Sequence, residues 1–425
     1  MQQLKVVLVG FGNRGGIYAD YSLQFPEHMK IIGVVEVNPY RLKAAKERYS
    51  LEDSQVFESL DAFLETKTVC DFVINATMDQ MHYETAIKLL KAGYNMLIEK
   101  PVTAKKEELL EIEQLAKEKN VQVFVCHVLR YTPFYSKIRT FIEEGRIGEV
   151  VSLQLNEHVG MAHYVDSFIR GKWGKESVCG SPLLLAKSCH DTDLLCWLNP
   201  NTKPKRVSSF GSRKNFTSEN APQGATERCA DCPHNQTCLY DAKKIHIDVD
   251  QHGFQTWEGM NKPIDTITRE EKIEYLKTSD YGKCVYTLGG DLVDRQCVSV
   301  EYENGSVATF TLIGAVAQAA REVHIVGTKG EIIGEILSGK ITLREFDRSG
   351  NKYGYNVEVY DANADLPEHD DHAGGDSGLM KDVTNYFATG EMSRSLTYIS
   401  DSVNGHLIVY AAEESRKTNT IQLIR

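Results

Sequence analysis

The segment that most constrains this chain is Val9-Gly10-Phe11-Gly12-Asn13-Arg14-Gly15-Gly16, which follows the apolar run Val6 to Val9. A buried parallel strand that leads directly into glycines predicts a strand–loop–helix unit. In such a loop Gly10 makes the tight turn, Gly12 lets a phosphate approach the backbone, and Gly15 lets the next helix lie on the sheet. The first helical amides then face an anion with a favourable dipole. Glycines also mark ordinary turns, so the loop gains weight from a second feature. Glu99-Lys100-Pro101 follows the run Asn95 to Ile98 and places an ammonium group where a strand of the same sheet ends.

A second apolar strand, Met29 to Val37, carries Glu36 near its end. A carboxylate there accepts hydrogen bonds from ribose hydroxyls and repels a 2′-phosphate, so NAD is expected rather than NADP. Arg41 is a compensating cation that weakens this preference. Strand and helix signals then alternate: a helix from Pro39 to Tyr49, a strand from Asp71 to Thr77 and a helix from Met81 to Ala92. The strand ending at Lys100 follows, then a helix from Ala104 to Lys119 capped by Thr103, and the strand Val121 to Val125. This order implies a doubly wound parallel sheet, with Gly12, Glu36, Thr77 and Lys100 at the carboxyl ends of its strands.

A chain of 425 residues is too long for one ordinary core, and 42% apolar residues suffice for globular packing. A formal charge of −11 gives no electrostatic reason to expect nucleic acid or an anionic membrane. The first strand begins almost at Met1 and no apolar run approaches membrane-spanning length, so a cytoplasmic protein is expected. The dinucleotide-binding domain is expected over residues 1–126 and a substrate-binding and oligomerisation domain over 127–425. Alternating runs at Val150–Glu157, Cys297–Glu303, Val307–Leu312, Glu322–Val326 and Lys340–Phe346 predict an α+β domain with an open, mostly antiparallel sheet. Asn304-Gly305 marks one hairpin turn. Residues 208–283 read as an irregular, cysteine-rich insertion.

Ser181-Pro182 marks a helix start, with Ser181 as cap. Lys187, His190, Asp193 and Trp197 follow along one stripe. An imidazole there can take a hydroxyl proton, Lys187 can favour a developing alkoxide, and Asp193 can orient the histidine. The same spacing also suits a core histidine bonded to a buried aspartate, with Lys187 exposed.

Together, the glycine loop, Thr77 with His82, Glu99-Lys100-Pro101 and the His190/Asp193 helix resemble the glucose–fructose oxidoreductase, inositol dehydrogenase and MocA family over essentially the whole chain. The resemblance implies a Rossmann domain followed by an open sheet, with Lys100 beside the nicotinamide and substrate and His190 as acid/base. The implied cofactor set is Gly10, Phe11, Gly12, Asn13, Arg14, Gly15, Glu36, Arg41, Thr77, His82, Glu99 and Lys100. One departure matters: Ala186 stands where many polyol dehydrogenases of the family carry an aspartate, and Lys187 beside it is expected to assist. Arg130, Tyr131, His163, Arg170, Trp173, Asp193 and His372 are the candidate substrate contacts. Aromatic faces suit sugar C–H groups, and arginines suit hydroxyls or a uronate carboxylate. Arg170 and Trp173 equally suit the ordering of a loop or a subunit contact.

The expected activity is NAD-dependent oxidation or reduction at a secondary hydroxyl or ketone of a sugar or polyol, in a homodimer or homotetramer. Two alternatives remain: a redox glycosidase working by transient oxidation and elimination, and a nucleotide or sugar sensor without turnover. Cys229, Cys232 and Cys238 form a compact cluster that suits a structural zinc, with Cys284 as the fourth ligand and His234 or His246 as alternatives. The run Glu368 to His372 reads as a solvated loop.

Overall fold

The computed structural model describes residues 3–347, 349, 352–364 and 374–424. His372 and the run Glu368 to His372 lie outside the described residues. The apolar runs of the first 126 residues form six parallel strands: β1 (Leu4–Val9), β2 (Met29–Val35), β3 (Val56–Phe57), β4 (Phe72–Asn75), β5 (Met96–Ile98) and β6 (Val123–Val125). Their spatial order is β3-β2-β1-β4-β5-β6. The order reverses between β1 and β4, which opens a crevice at their carboxyl ends. Both sheet faces are covered. Val6, Leu8 and Phe72 pack on one side, and Val7, Val9 and Val73 on the other.

Local chemistry sets most helix boundaries. Asn38 caps the helix Pro39–Arg48 by accepting from Tyr40 N and Arg41 N at 3.0 and 3.3 Å. Asn120, with φ of 51°, ends the helix Lys106–Lys119 in a left-handed turn. Two expected caps are not formed. Thr103 Oγ1 bonds Glu108 instead, and that helix starts at Lys106. Pro182 is the N-cap of the helix Leu183–Trp197, so Ser181 stands outside it.

The second sheet has nine strands: β7 (Val150–Gly160), β8 (Pro204–Ser212), β9 (Arg295–Tyr302), β10 (Val307–Val316), β11 (Ala320–Gly327), β12 (Gly330–Glu335), β13 (Lys340–Phe346), β14 (Tyr355–Asp361) and β15 (Gln422–Leu423). They lie in the order β14-β13-β12-β11-β7-β10-β9-β8-β15. The pairing is antiparallel except between β7 and β10. Inward residues such as Leu153, Leu155, Phe310 and Ile325 meet the helices Leu183–Trp197 and Ile399–Thr418. Val151, Phe210, Val357 and Val359 are exposed.

Two features depart from the expected organisation. Strand β8 runs to Ser212, and the insertion that follows has a small core of its own around Trp257, with Ala242, Ile247, Ile267 and Leu276. The helix Gly375–Thr389 returns to the first sheet, where Leu379, Met380 and Val383 pack among Leu8, Phe72 and Ile74. The first sheet therefore draws on chain from both ends. Among the described residues no helix is long and apolar enough to cross a membrane.

The closeness of loop and helix gives a stability test. A Cβ on Gly15 would lie 2.1 Å from the Gly10 carbonyl oxygen, a backbone atom that cannot step aside. Gly15→Ala should lose about 2 kcal/mol or more in urea unfolding despite alanine's better helix propensity.

Candidate functional site

At the crevice, Gly10 has φ of +91°, and a Cβ there would meet Ala76 O at 2.6 Å. At Gly12 a Cβ would meet no atom within 4 Å. Gly12 is also the N-cap of the helix Asn13–Gln24, and no side chain caps it. Open space thus lies before a helix N-terminus, the surroundings an anion requires. Buried Glu36 accepts from Phe11 N and from Asn38 N, each at 2.8 Å. Each carboxylate oxygen retains a lone pair for a hydroxyl donor. Arg41 Nε stands 3.6 Å from Glu36.

Other members of the expected cofactor set brace the crevice. Arg14 donates to Glu99 at 2.9 Å and to Asp376 at 3.0 Å, and also bonds Tyr18. Glu99 accepts from Lys100 N at 2.5 Å. The His82 imidazole spans Pro101 O at 2.6 Å and Thr77 O at 3.0 Å, so it holds the turn after β4 against the turn after β5. Thr77 Oγ1 bonds Asn75 Oδ1 at 3.2 Å.

Lys100 Nζ donates to Ala186 O at 3.0 Å, one helical turn before His190 on the helix Leu183–Trp197. That helix is broken at Ser188 (φ −109°, ψ 15°), where the regular carbonyl ladder is interrupted beside the lysine's acceptor. Lys187 is paired with Glu157 at 3.2 Å. Arg321 binds the same glutamate at 2.5 Å and Asp191 at 2.9 Å. Burial lowers the pKa of Lys187, although Glu157 opposes this, and burial raises that of Asp191 to about 6. The His163 and His252 rings lie 5.0 Å apart. Burial, then the charges of Lys187, His252, Arg321 and Lys100, hold His163 well below the ordinary imidazole range. Lysine, arginine and imidazole groups thus form one cluster, to which the insertion contributes His252.

The expected substrate contacts divide. His163 lies in this cluster. Asp193 takes Arg130, at 2.6 and 2.7 Å, in a buried bidentate pair, and the Arg130 guanidinium lies 5.6 Å from the Trp197 ring. His127 stands between these layers, bonded to Ser402 at 2.8 Å with its ring 5.8 Å from that of His190. Tyr131 packs with the helix Gly375–Thr389. Arg170 is buried and donates to Lys283 O and Tyr240 O, both at 2.8 Å, so it anchors the insertion. Trp173 donates to Asp79 at 3.2 Å and bridges the two sheets' units.

Glu157, Asp191, Arg321 and His252 are absent from the expected set. Glu157 carried a signal: it shares the inward parity of Leu153, Leu155 and Val159, so a carboxylate interrupts an apolar stripe. Arg321 is its direct cross-strand partner on β11.

Cys229, Cys232, Cys238 and Cys284 line one cavity, with His234 at its wall. Yet among the described residues no group of three or more Cys, His, Asp or Glu side chains is arranged to hold a metal ion. Cys229 Sγ accepts from Arg170 at 3.3 Å and lies 3.8 Å from Lys283 O, and His246 pairs with Asp166 at 2.9 Å. Burial raises the thiol pKa of Cys229 and of Cys238 and so favours the protonated form. The expected zinc centre is therefore not supported.

Residues 4–127 match the family model described as "Oxidoreductase family, NAD-binding Rossmann fold", and residues 139–422 match its C-terminal alpha/beta domain. YteT of Bacillus subtilis, named as an oxidoreductase, is 25% identical over 326 residues, covering 73% of this chain and 71% of YteT. An inositol 2-dehydrogenase of Corynebacterium glutamicum is 27% identical over 203 residues, 46% of this chain and 54% of that protein. A levoglucosan dehydrogenase solved with NADH and levoglucosan superposes with a TM-score of 0.70 over the whole of both chains at 17% identity, which shows a shared fold.

The buried imidazoles give a pH test. His127, His246 and His406 are each 1% exposed, and burial lowers the pKa of each, His127 to about 3. In the unfolded chain they protonate near ~6.5, so below that pH the unfolded state binds more protons and stability falls. Asp191, raised to about 6, acts oppositely, because the folded state takes up its proton first. From pH ~6.5 to ~5.5 these histidines, together with His163 and His252, outweigh the single carboxyl, so stability falls. Urea unfolding at the two pH values measures it, and His127→Gln should shallow the slope.

Proposed function

Because this chain belongs to the Gfo/Idh/MocA oxidoreductase family, we propose that it is an NAD-dependent dehydrogenase acting on a secondary hydroxyl of a sugar or polyol. The observation that carries this reading is the hydrogen bond from Lys100 to Ala186 O, which sets the strand-end ammonium one turn from His190. The relatives named for inositol and levoglucosan support the substrate class.

The dinucleotide pyrophosphate would lie over Gly10 to Gly15, against the helix N-terminus. Glu36 would accept from the adenosine ribose hydroxyls. When bound, NAD supplies the hydride acceptor. His190 takes the hydroxyl proton and returns it in the reverse direction. Lys100 donates a hydrogen bond to the oxygen as negative charge develops on it, and its existing bond to a neutral carbonyl is readily exchanged. Lys187, which shares Glu157 with Arg321, adds positive potential beside Ala186, where the family's aspartate is missing. The exposed apolar side chains on the outer face of the second sheet support association into a dimer or tetramer.

One observation favours a second reaction at the same site. His163 and His252 stand side by side, and burial keeps both neutral, which provides bases for elimination after transient oxidation of a glycoside. A panel of polyols, sugars and glycosides separates the two readings when nicotinamide absorbance and released aglycone are both recorded. Net NADH marks the dehydrogenase, whereas aglycone release without it marks elimination. Lys100→Met and His190→Asn should each lower turnover by about 10²-fold or more. Near-normal turnover in both variants rules out proton transfer and oxyanion stabilisation by His190 and Lys100.

A further inference from the structure

The insertion reaches the adenosine end of the crevice as well as its reaction end. Trp257 is fully buried, donates to Asp250 at 3.1 Å and lies beneath Lys272. It anchors a short turn, Glu258 to Met260, that Asn261 closes with φ of 50°. From this hook Glu258 accepts from Arg41 at 2.6 Å, and Asn261 Oδ1 accepts from Asn38 Nδ2 at 3.0 Å. Asn38 is the cap of the helix that carries Arg41, so the hook grips both the cap and the guanidinium. Lys172 lies 3.2 Å from the other oxygen of Glu258.

Arg41 is the cation nearest Glu36 among these residues, and so the group a 2′-phosphate would seek. We propose that Glu258 determines cofactor specificity by acting through Arg41, as a positioning residue. Its carboxylate engages the guanidinium through Nη1 and adds a second negative charge near the ribose, so a 2′-phosphate meets two carboxylates around one guanidinium. The inference rests on the reading of the crevice as an NAD site, and it assigns the choice between dinucleotides to the second domain. Lys172 is itself held by Glu258, which reduces its availability to a phosphate.

Direct titration of the full chain with NAD+ and NADP+ tests this, read as the ratio of the two dissociation constants. In Glu258→Gln the preference for NAD+ should fall by about tenfold or more, because the amide keeps the shape and loses the charge. Adding Arg41→Met should remove the gain in NADP+ binding, an outcome that mere loosening of the hook would not produce. The unmodified protein supplies a second measurement independent of the variant's folding: ADP should bind more tightly than its 2′-phosphorylated counterpart. An unchanged ratio in Glu258→Gln overturns the role of Glu258 while leaving the NAD reading in place, whereas equal affinity for the two fragments overturns the preference for NAD and the role of Glu258 with it. Binding of neither dinucleotide by the unmodified protein overturns both.

Discussion

Much of this structure depends on one partly buried cation. Arg14 stands in the first turn after the glycine loop and binds carboxylates from two distant parts of the chain, Glu99 after β5 and Asp376 in the helix Gly375–Thr389. Burial opposes charge on Arg14 and on Glu99. It pushes the Glu99 carboxyl up, but Arg14 and Lys100 outweigh it and hold Glu99 below its ordinary value. Removing one partner from such a cluster leaves an uncompensated buried charge, at a cost of about 3–5 kcal/mol. The arrangement fixes three things at once: the pitch of the loop helix, the strand end that presents Lys100, and the return of the C-terminal chain to the first sheet. Arg14 therefore governs the cofactor crevice from beneath it.

A second buried pair does the same for the reaction end. Arg130 and Asp193 lock the helix Leu183–Trp197 against the turn after β6, and His127, Ser402 and His406 extend the network to Val102 N. His190 thus lies on a helix whose far side is pinned by charge and whose near side breaks at Ser188. The rigid side sets the imidazole, and the break leaves room for Lys100 to reach Ala186 O. The two domains meet through polar contacts of defined geometry, among them Lys100 to Ala186 O and Trp173 to Asp79.

How much of this was legible in the sequence follows from the range of each interaction. The glycine loop was legible because its constraints are local: Gly10 turns, Gly12 leaves space and Gly15 touches Gly10 O, all within one turn of chain. Glu36 and Lys100 were legible as strand-end residues, since the alternation of strands and helices fixes which end faces the crevice. The pairing of Asp193 with Arg130 was not legible, for a physical reason. Helical spacing places Asp193 on a stripe with His190, but a carboxylate bonds the strongest donor within reach, and that donor lies 63 residues earlier. The four cysteines were legible as neighbours around one cavity, but spacing alone could not supply the orientation of their sulfurs. Thr103 lost its expected capping role to Glu108, a competitor a few residues away in sequence.

The insertion was the least legible part, because its contacts lie outside its own sequence neighbourhood. Arg170 holds its base through the carbonyls of Tyr240 and Lys283, Gln255 meets Ser167 at 2.6 Å, and His252 faces His163. A few residues later Glu258 and Asn261 meet Arg41 and Asn38 at the opposite end of the crevice. One folded unit with its own core therefore touches both Arg41 and His163. A segment that reads as an irregular interruption of a sheet domain is, in the fold, the wall common to the two halves of the site. Its irregular backbone serves that position. A regular helix would present one face to one partner, whereas short turns around Trp257 present His252 and Glu258 to partners on opposite sides.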